Sequence, residues 1–116
     1  MTKTITALEE RAAKEPRNPA VFYTISTYYW DEVYRDFRLK DAQTSEFIQK
    51  GIDAAERALQ IKPDYMEALV YKNLFLRLQA NLEKEPGKQQ ALIKQADQLR
   101  DKARDLRKQK AAGAGD

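Results

Sequence analysis

The chain has 116 residues, of which 42% are hydrophobic and 34% charged, and its formal net charge is +3 at pH 7. This length and composition indicate one small domain with a limited core, and so weak a positive charge is no signature of nucleic-acid binding. The sequence contains no cysteine and no histidine, which excludes disulfide bridges, thiolate chemistry and the commonest general base and transition-metal ligand. Because the remaining acidic, lysine and tyrosine residues form no catalytic motif, we predict a protein that is not an enzyme and has no cofactor, catalytic residue or metal ligand.

The first predicted helix covers about residues 3 to 15 and ends before Pro16. Its narrow apolar stripe has helical spacing and consists of Ile5, Leu8 and Ala12. The charged run at residues 9 to 11 interrupts the apolar stretch that a secretory signal requires, and no later segment approaches the roughly 18 to 20 apolar residues of a membrane span. We therefore expect a soluble chain without a membrane span; a cytoplasmic location is favoured, and export of a longer precursor is left open.

The second predicted helix runs from Pro19 to about Arg35, because proline suits a first helical turn. Apolar residues lie on more than one of its faces, which predicts a helix sandwiched between others. A loop follows at residues 36 to 40, and Asp41 is a candidate N-cap for a third helix that ends near Ile61. Three small residues of this third helix should let a neighbouring helix approach closely; they are Gly51, Ala55 and Ala58.

The fourth predicted helix follows the Pro63-Asp64 turn and extends to about Leu82, and the fifth runs from near Pro86 to about Lys110. Residues 111 to 116 are mostly small and should form a flexible tail. No segment shows the alternation of a strand, so the pattern predicts an all-α fold of about five helices. Because the predicted loops are short, consecutive helices should pack as antiparallel neighbours.

Positive charge is concentrated in the fifth predicted helix. Residues 88 to 110 include eight basic and three acidic residues, so this segment carries a local charge of +5. The three aspartates are spaced four residues apart among the arginines and lysines, which is the spacing of ion pairs along a helix. This pattern favours a solvated helix that pairs its own charges over a dedicated surface for nucleic acid or lipid headgroups.

A block of sequence occurs twice, 47 residues apart. Residues 16 to 23 and residues 63 to 70 each place a proline and a polar turn ahead of a long apolar helical pattern, which predicts tandem helix hairpins. The helix after the first copy has bulky, aliphatic, small and tyrosine residues at relative positions 0, 3, 4 and 7, namely Phe22, Ile25, Ser26 and Tyr29. The helix after that has small residues and then a proline, namely Gly51, Ala55, Ala58 and Pro63.

These residues resemble the tetratricopeptide repeats, and the pattern looks like a short, degenerate bacterial-type member of that family. The resemblance implies tandem antiparallel helix hairpins stacked as a TPR-like α-solenoid. Two features depart from the family pattern. Ala55 stands where the family has an aromatic residue, and the 47-residue spacing exceeds the family's 34-residue unit. We assign the excess to a longer hairpin loop and extended helices around residues 36 to 46.

The second copy matches the family less well. Leu69 and Leu76 stand at the bulky and tyrosine positions, but Lys72, Asn73 and Arg100 occupy positions that are usually aliphatic, small and aromatic. We interpret it as a degenerate terminal repeat. The predicted layout is a single domain at residues 1 to 110, with a leading helix at 3 to 15, a first repeat with a long hairpin loop at 19 to 63 and a degenerate second repeat at 64 to 110.

The resemblance implies a concave groove lined by the first helix of each hairpin. The corresponding positions give a candidate peptide-binding set of Tyr23, Thr27, Trp30, Val70, Leu74 and Arg77. Family members that clamp a terminal carboxylate use lysine and asparagine in the groove, and none of these six positions holds either residue. An amphipathic helix or an extended apolar peptide is therefore the better prediction for the ligand. Aromatic residues at helical spacing usually belong to a core. We predict that Tyr23 and Trp30 are exceptions and lie exposed.

Three interpretations of function remain open at this point. The first is a non-catalytic scaffold that binds a peptide or helix in a concave groove, associates with another copy of itself through the N-terminal end, or does both. The second is a binder of nucleic acid or acidic surfaces through the basic helix at residues 88 to 110. The third is a helical segment of a larger chain with no binding role of its own. Lys72 is expected to pack its stem and reach a carboxylate or water, rather than to hold a ligand.

Overall fold

The structure is a computed structural model that describes residues 2–35 and 41–114. These residues form five α-helices and no strand, so the prediction of an all-α fold is confirmed. The helices are α1 (Thr2–Lys14), α2 (Pro19–Arg35), α3 (Asp41–Ile61), α4 (Met66–Leu82) and α5 (Pro86–Ala114). Over the described ranges, no helix combines the length and the apolar character that crossing a membrane requires.

The duplicated sequence block forms the same turn twice. Before α2, the backbone N–H of Asn18 donates a hydrogen bond to the carbonyl of Glu15 at 3.1 Å. Before α4, 47 residues later, the N–H of Tyr65 donates to the carbonyl of Lys62 at 3.0 Å. Asn18 also caps α2, because its side-chain oxygen accepts a hydrogen bond from the backbone N–H of Ala20 at 3.1 Å. The sequence repeat is therefore also a repeat of local structure.

Helices α2 and α3 pack as an antiparallel pair. The hydroxyl of Ser26, in the middle of α2, donates a hydrogen bond to the carbonyl of Gly51 at 3.1 Å. Further along α2, the ring of Tyr29 lies 5.6 Å from the ring of Phe47, which comes earlier in α3. Later residues of α2 thus meet earlier residues of α3, as expected for neighbours in a hairpin.

Helices α4 and α5 form the second antiparallel pair. Near the turn between them, the side-chain amide of Gln89 donates a hydrogen bond to the carbonyl of Ala80 at 2.9 Å. One turn earlier in α4, the guanidinium of Arg77 lies 2.7 Å from the carboxylate of Asp97. These contacts join progressively earlier residues of α4 to later residues of α5, so the two helices run in opposite directions.

The two pairs meet where α4 packs against α3. Phe75 is fully buried and its ring lies against the backbone of Gly51, so closely that a Cβ atom at position 51 would be 2.6 Å from Cε1 of the ring. On the same face of α4, Lys72 is largely buried and its ammonium lies 3.2 Å from the carboxylate of Glu56. Two predictions are confirmed here: the small residue of α3 permits a close approach, and the lysine stem packs while its charge reaches a carboxylate.

The core lies between α2, α3 and α4, and α1 and α5 cover its two ends. Its members include Val21, Ile25, Ile48, Ile52, Phe75 and Leu76. Helix α1 adds Ala12, together with the partly buried Ile5 and Leu8, against α2. Because α2 and α4 contribute apolar residues to more than one neighbour, both are apolar over more than one face, as predicted for α2.

Two boundaries need comment. Helix α5 continues to Ala114, four residues beyond its predicted end near Lys110, so most of the segment predicted as a flexible tail is helical. Alanine is the strongest helix former, and residues 111, 112 and 114 are alanines, which explains the extension. The predicted loop at residues 36 to 40 and the predicted capping role of the Asp41 side chain lie outside what the structure describes.

Candidate functional site: an aromatic row between α2 and α4

Helices α2 and α4 lie side by side and run in the same direction. Tyr23 of α2 contacts Tyr71 of α4, with ring centroids 5.5 Å apart, and Trp30 of α2 contacts Phe75 of α4 at 5.2 Å. Later residues of α2 thus meet later residues of α4. The parallel arrangement follows from the repeat, because each of these helices is the first member of its antiparallel pair.

Five aromatic rings form a continuous series along this helix pair. The ring of Tyr65 lies 5.6 Å from that of Tyr23, and Tyr23 lies 5.5 Å from Tyr71. The series continues from Tyr71 to Trp30 at 5.9 Å and from Trp30 to Tyr34 at 4.6 Å. We call these five residues the aromatic row. The distances fall within the range of favourable edge-to-face and offset contacts, so each ring also fixes its neighbours.

The row is only partly buried. Tyr34 is 64% exposed, whereas Tyr23, Trp30, Tyr65 and Tyr71 are partly buried. The prediction that Tyr23 and Trp30 are exposed is therefore wrong in degree, because Tyr23 packs between two tyrosines and Trp30 packs on the buried Phe75. The underside of the row supports the core, and its outer side faces solvent.

The structure brings together only part of the predicted peptide-binding set. Tyr23 and Trp30 are members of the aromatic row, and Thr27 lies between them on α2, partly buried. The other three residues are also partly buried. Val70 and Arg77 face α5, because Val70 lines a depression of about 230 Å³ with the arginines of that helix and Arg77 binds Asp97. Leu74 is partly buried in the same helix.

Three members of the row were missed by the sequence analysis: Tyr34, Tyr65 and Tyr71. Tyr71 follows the predicted Val70 by one residue, and one residue turns a helix by about 100°, which is enough to change the neighbour that a side chain faces. A usable signal was present, since Tyr34 stands one helical turn after Trp30 and Tyr65 lies in the repeated turn. Tyr34 belongs to an aromatic run at helical spacing that is typical of a core, and Tyr65 and Tyr71 lie outside the groove positions that the resemblance implies.

Electrostatic interactions link one end of the row to an acidic residue. Burial raises the pKa of the Tyr23 hydroxyl, and the neighbouring Tyr71, Tyr65 and Glu67 raise it further. Burial also raises the pKa of Tyr65, with a smaller contribution from Glu67. Glu67 is exposed and forms no ion pair with any residue of the described ranges. The row thus ends beside an unpaired carboxylate.

These shifts predict a loss of stability at alkaline pH. A tyrosine whose pKa is raised by folding contributes stability that is complete below its unfolded pKa of about 10 and is lost as pH rises through the folded value. Tyr23, Tyr29 and Tyr65 all shift in this direction. We expect the melting temperature to fall as the pH rises above about 10. The double substitution Tyr23→Phe and Tyr65→Phe should reduce this slope in melts recorded from neutral to alkaline pH; an unchanged slope would contradict the assignment.

Two arginines of α5, Arg100 and Arg104, form ion pairs within their own helix. The guanidinium of Arg100 lies 3.4 Å from Asp97 and 3.2 Å from Asp101, and Arg104 lies 3.4 Å from Asp101. All four side chains are substantially exposed. Such pairs stabilise a helix by a few tenths of a kcal/mol each. Two of the three interleaved aspartates, Asp97 and Asp101, thus pair with an arginine three residues further along α5, as their spacing predicts.

Within residues 2–35 and 41–114, no three acidic, histidine or cysteine side chains are grouped so that they could hold a metal ion. Comparison of the chain with protein-family models, with curated proteins and with solved structures gives no match in any of the three. A proposal about function therefore depends on the geometry of the aromatic row and on the residues that resemble the tetratricopeptide repeats.

Proposed function

We propose that this protein is a non-catalytic scaffold of the tetratricopeptide-like class and that it binds a peptide segment of a partner protein along the aromatic row. The observation that carries the proposal is the row itself: five partly exposed aromatic rings, each in contact with the next, on the parallel α2 and α4 helices and the turn before α4. Trp and Tyr are enriched among the residues that dominate binding energies. Rings already held by their neighbours also lose little conformational entropy when a ligand binds.

The position of the row supports this function. Its underside is fixed by Phe75 and, through that ring, by the close packing of α3 on α4. A site supported by packed helices keeps its shape in the absence of ligand, which favours binding. The outer side combines apolar ring faces with hydroxyl edges, a combination that suits a peptide backbone as well as apolar side chains.

Peptide display on the immobilised protein tests the proposal. We expect selected peptides to bind the variant Tyr34→Ala at least about five-fold more weakly, because a residue that dominates binding contributes more than about 1 kcal/mol. Tyr34 is 64% exposed, so its loss should leave the protein folded. Leu82→Ala is the matched control, since Leu82 is an exposed apolar residue away from the row. Equal affinity of the selected peptides for the wild type and Tyr34→Ala would contradict the proposal.

Self-association through the N-terminal end is a second form of this proposal. Helix α1 packs on α2 alone among the described helices, and Ala12 is its one buried residue within the described side chains. An end helix with so limited a contact resembles an end of a repeat array, where a neighbouring unit would continue the stack. Light scattering coupled to size exclusion should detect a dimer at micromolar concentration. A strict monomer would count against this form and leave peptide binding untouched.

Binding of nucleic acid through α5 receives less support. The ion pairs with Asp97 and Asp101 occupy two guanidinium groups of this helix, those of Arg100 and Arg104, which lowers the positive charge that it offers to phosphates. We expect no retention on a nucleic-acid column at physiological salt. Steeply salt-dependent retention would instead favour this alternative, because counterion release makes phosphate binding fall with ionic strength.

A further inference from the structure

We propose that the ligand of the aromatic row is an extended, proline-rich segment that carries a basic residue, a ligand class that rests on the peptide-binding function proposed above. Three features of the row lead to it: unused hydrogen-bond donors, a suitable length, and an unpaired carboxylate at one end.

The polar edges of the row are unused. The hydroxyls of Tyr23, Tyr34, Tyr65 and Tyr71 and the indole N–H of Trp30 form no hydrogen bond with any group of residues 2–35 and 41–114. None of these five polar atoms is buried without a partner, so all five reach solvent. The indole N–H can only donate, and each phenol hydroxyl can donate as well as accept. The row therefore offers five hydrogen-bond donors to a ligand.

Donors of this kind favour an extended ligand over a helical one. The carbonyls of an α-helix are already bonded within the helix, whereas a polyproline II segment has no internal hydrogen bonds and leaves its carbonyls free. Proline also lacks a backbone N–H, so a proline-rich segment brings acceptors without adding donors that need a partner. Its pyrrolidine rings pack on aromatic faces, and aromatic-lined grooves are an established mode of recognition for such segments.

The length of the row matches a short segment of this type. Tyr23 and Tyr34 are eleven residues apart in α2. At about 1.5 Å per residue of helix, the two positions are about 16 Å apart along the axis. A polyproline II segment advances about 3.1 Å per residue, so about five residues cover this distance. Tyr65 lengthens the row beyond Tyr23.

Charge complementarity determines the second property of the ligand. Glu67 is exposed, is unpaired within the described residues, and lies near enough to Tyr23 and Tyr65 to affect the ionisation of both. The ammonium of Lys62 lies over the Tyr65 ring at 5.5 Å. Because this ammonium would repel another cation, a basic residue of the ligand is expected on the Tyr23 side of Glu67.

Trp30 makes the inference measurable, because it is the only tryptophan in the chain. A proline-rich peptide with one arginine near its end should change the intrinsic fluorescence of Trp30 in a saturable way, with calorimetry in parallel to detect binding that leaves the emission unchanged. The same peptide with glutamate in place of arginine should bind more weakly. An amphipathic helical peptide of equal length should bind weakly or not at all.

Two variants test the role of the carboxylate. We expect Glu67→Gln to weaken binding of the arginine-containing peptide about two- to five-fold, which is the effect of losing an exposed ion pair. The same substitution should not weaken binding of the glutamate-containing peptide. Glu10→Gln is the matched control, because Glu10 is exposed on α1 and forms no ion pair within the described residues. Equal effects of the two substitutions on the arginine peptide would remove the charge argument.

The outcomes also separate this inference from the proposed function. Binding of the helical peptide to the row without binding of the proline-rich peptides would overturn the ligand class and leave peptide binding intact. Failure of all the peptides would overturn the ligand class as well, and the display selection with Tyr34→Ala then decides whether any peptide binds the row.

Discussion

Replacement of Phe75 by alanine is expected to lower the free energy of unfolding by about 3 to 5 kcal/mol, the usual cost of deleting a buried aromatic ring. Phe75 is fully buried and its ring contacts both Trp30 and the backbone of Gly51. A small domain is stable by only about 5 to 15 kcal/mol, so the variant should lose a large part of its stability. At about 2 to 8 °C per kcal/mol, a loss of about 3 to 5 kcal/mol should lower the melting temperature by about 6 °C or more.

Thermal melts followed by circular dichroism measure this effect. Leu82→Ala is the control, because Leu82 lies on the same helix but is 41% exposed, and its truncation should change the stability by no more than about 0.5 kcal/mol. If Phe75→Ala melts as high as Leu82→Ala, Phe75 does not hold the two helix pairs together. Loss of the Phe75 ring should also loosen Trp30, with a shift of its fluorescence toward that of an exposed indole.

The substitution Gly51→Leu is expected to destabilise the protein by about 3 kcal/mol or more, because even a single added carbon would lie only 2.6 Å from Cε1 of the Phe75 ring. The change would also displace the carbonyl of Gly51 that accepts the hydrogen bond of Ser26. Urea denaturation at constant temperature gives the free energy of unfolding. The slope of that free energy against urea concentration shows whether the variant still unfolds as one unit.

Gly87 provides a matched control for Gly51. Both glycines are helical, but a Cβ atom at position 87 would meet no atom within 4 Å. Gly87→Leu should therefore be neutral, or stabilising by up to about 1 kcal/mol through helix propensity. A double variant with Gly51→Leu and Phe75→Ala should lose less free energy of unfolding than the two single variants lose together, because the leucine fills space that the ring vacates. Strict additivity would contradict direct contact between the two positions.

Features set by local sequence could be predicted. The two turns recur because a proline followed by a charged residue recurs 47 positions apart, and both turns form the same hydrogen bond. The close approach at Gly51 follows from the absence of a side chain, and the pairing of Lys72 follows from a long stem ending in a charge. Each of these outcomes depends on the residue itself and requires only that some helix or some carboxylate lies beside it, whichever one that is.

Features that depend on which helices are neighbours could not be predicted in the same way. Helix α4 is apolar over most of its circumference, so its sequence does not say which residues face α2 and which face α5. Assignment by resemblance placed Val70 and Arg77 in the groove, yet both face α5, whereas Tyr71 faces α2. The partial burial of Trp30 could not be predicted, because it depends on packing against Phe75, which belongs to a helix distant in sequence.

The central claim is that the aromatic row between α2 and α4 binds a peptide, and nuclear magnetic resonance of the nitrogen-labelled protein tests it most directly. The single indole N–H of Trp30 gives one resolved signal, since the chain has one tryptophan. Addition of a display-selected peptide should shift that signal together with the amide signals of residues around Tyr23 and Tyr71. Shifts confined to α5, with the Trp30 signal unmoved at saturation, would contradict the claim.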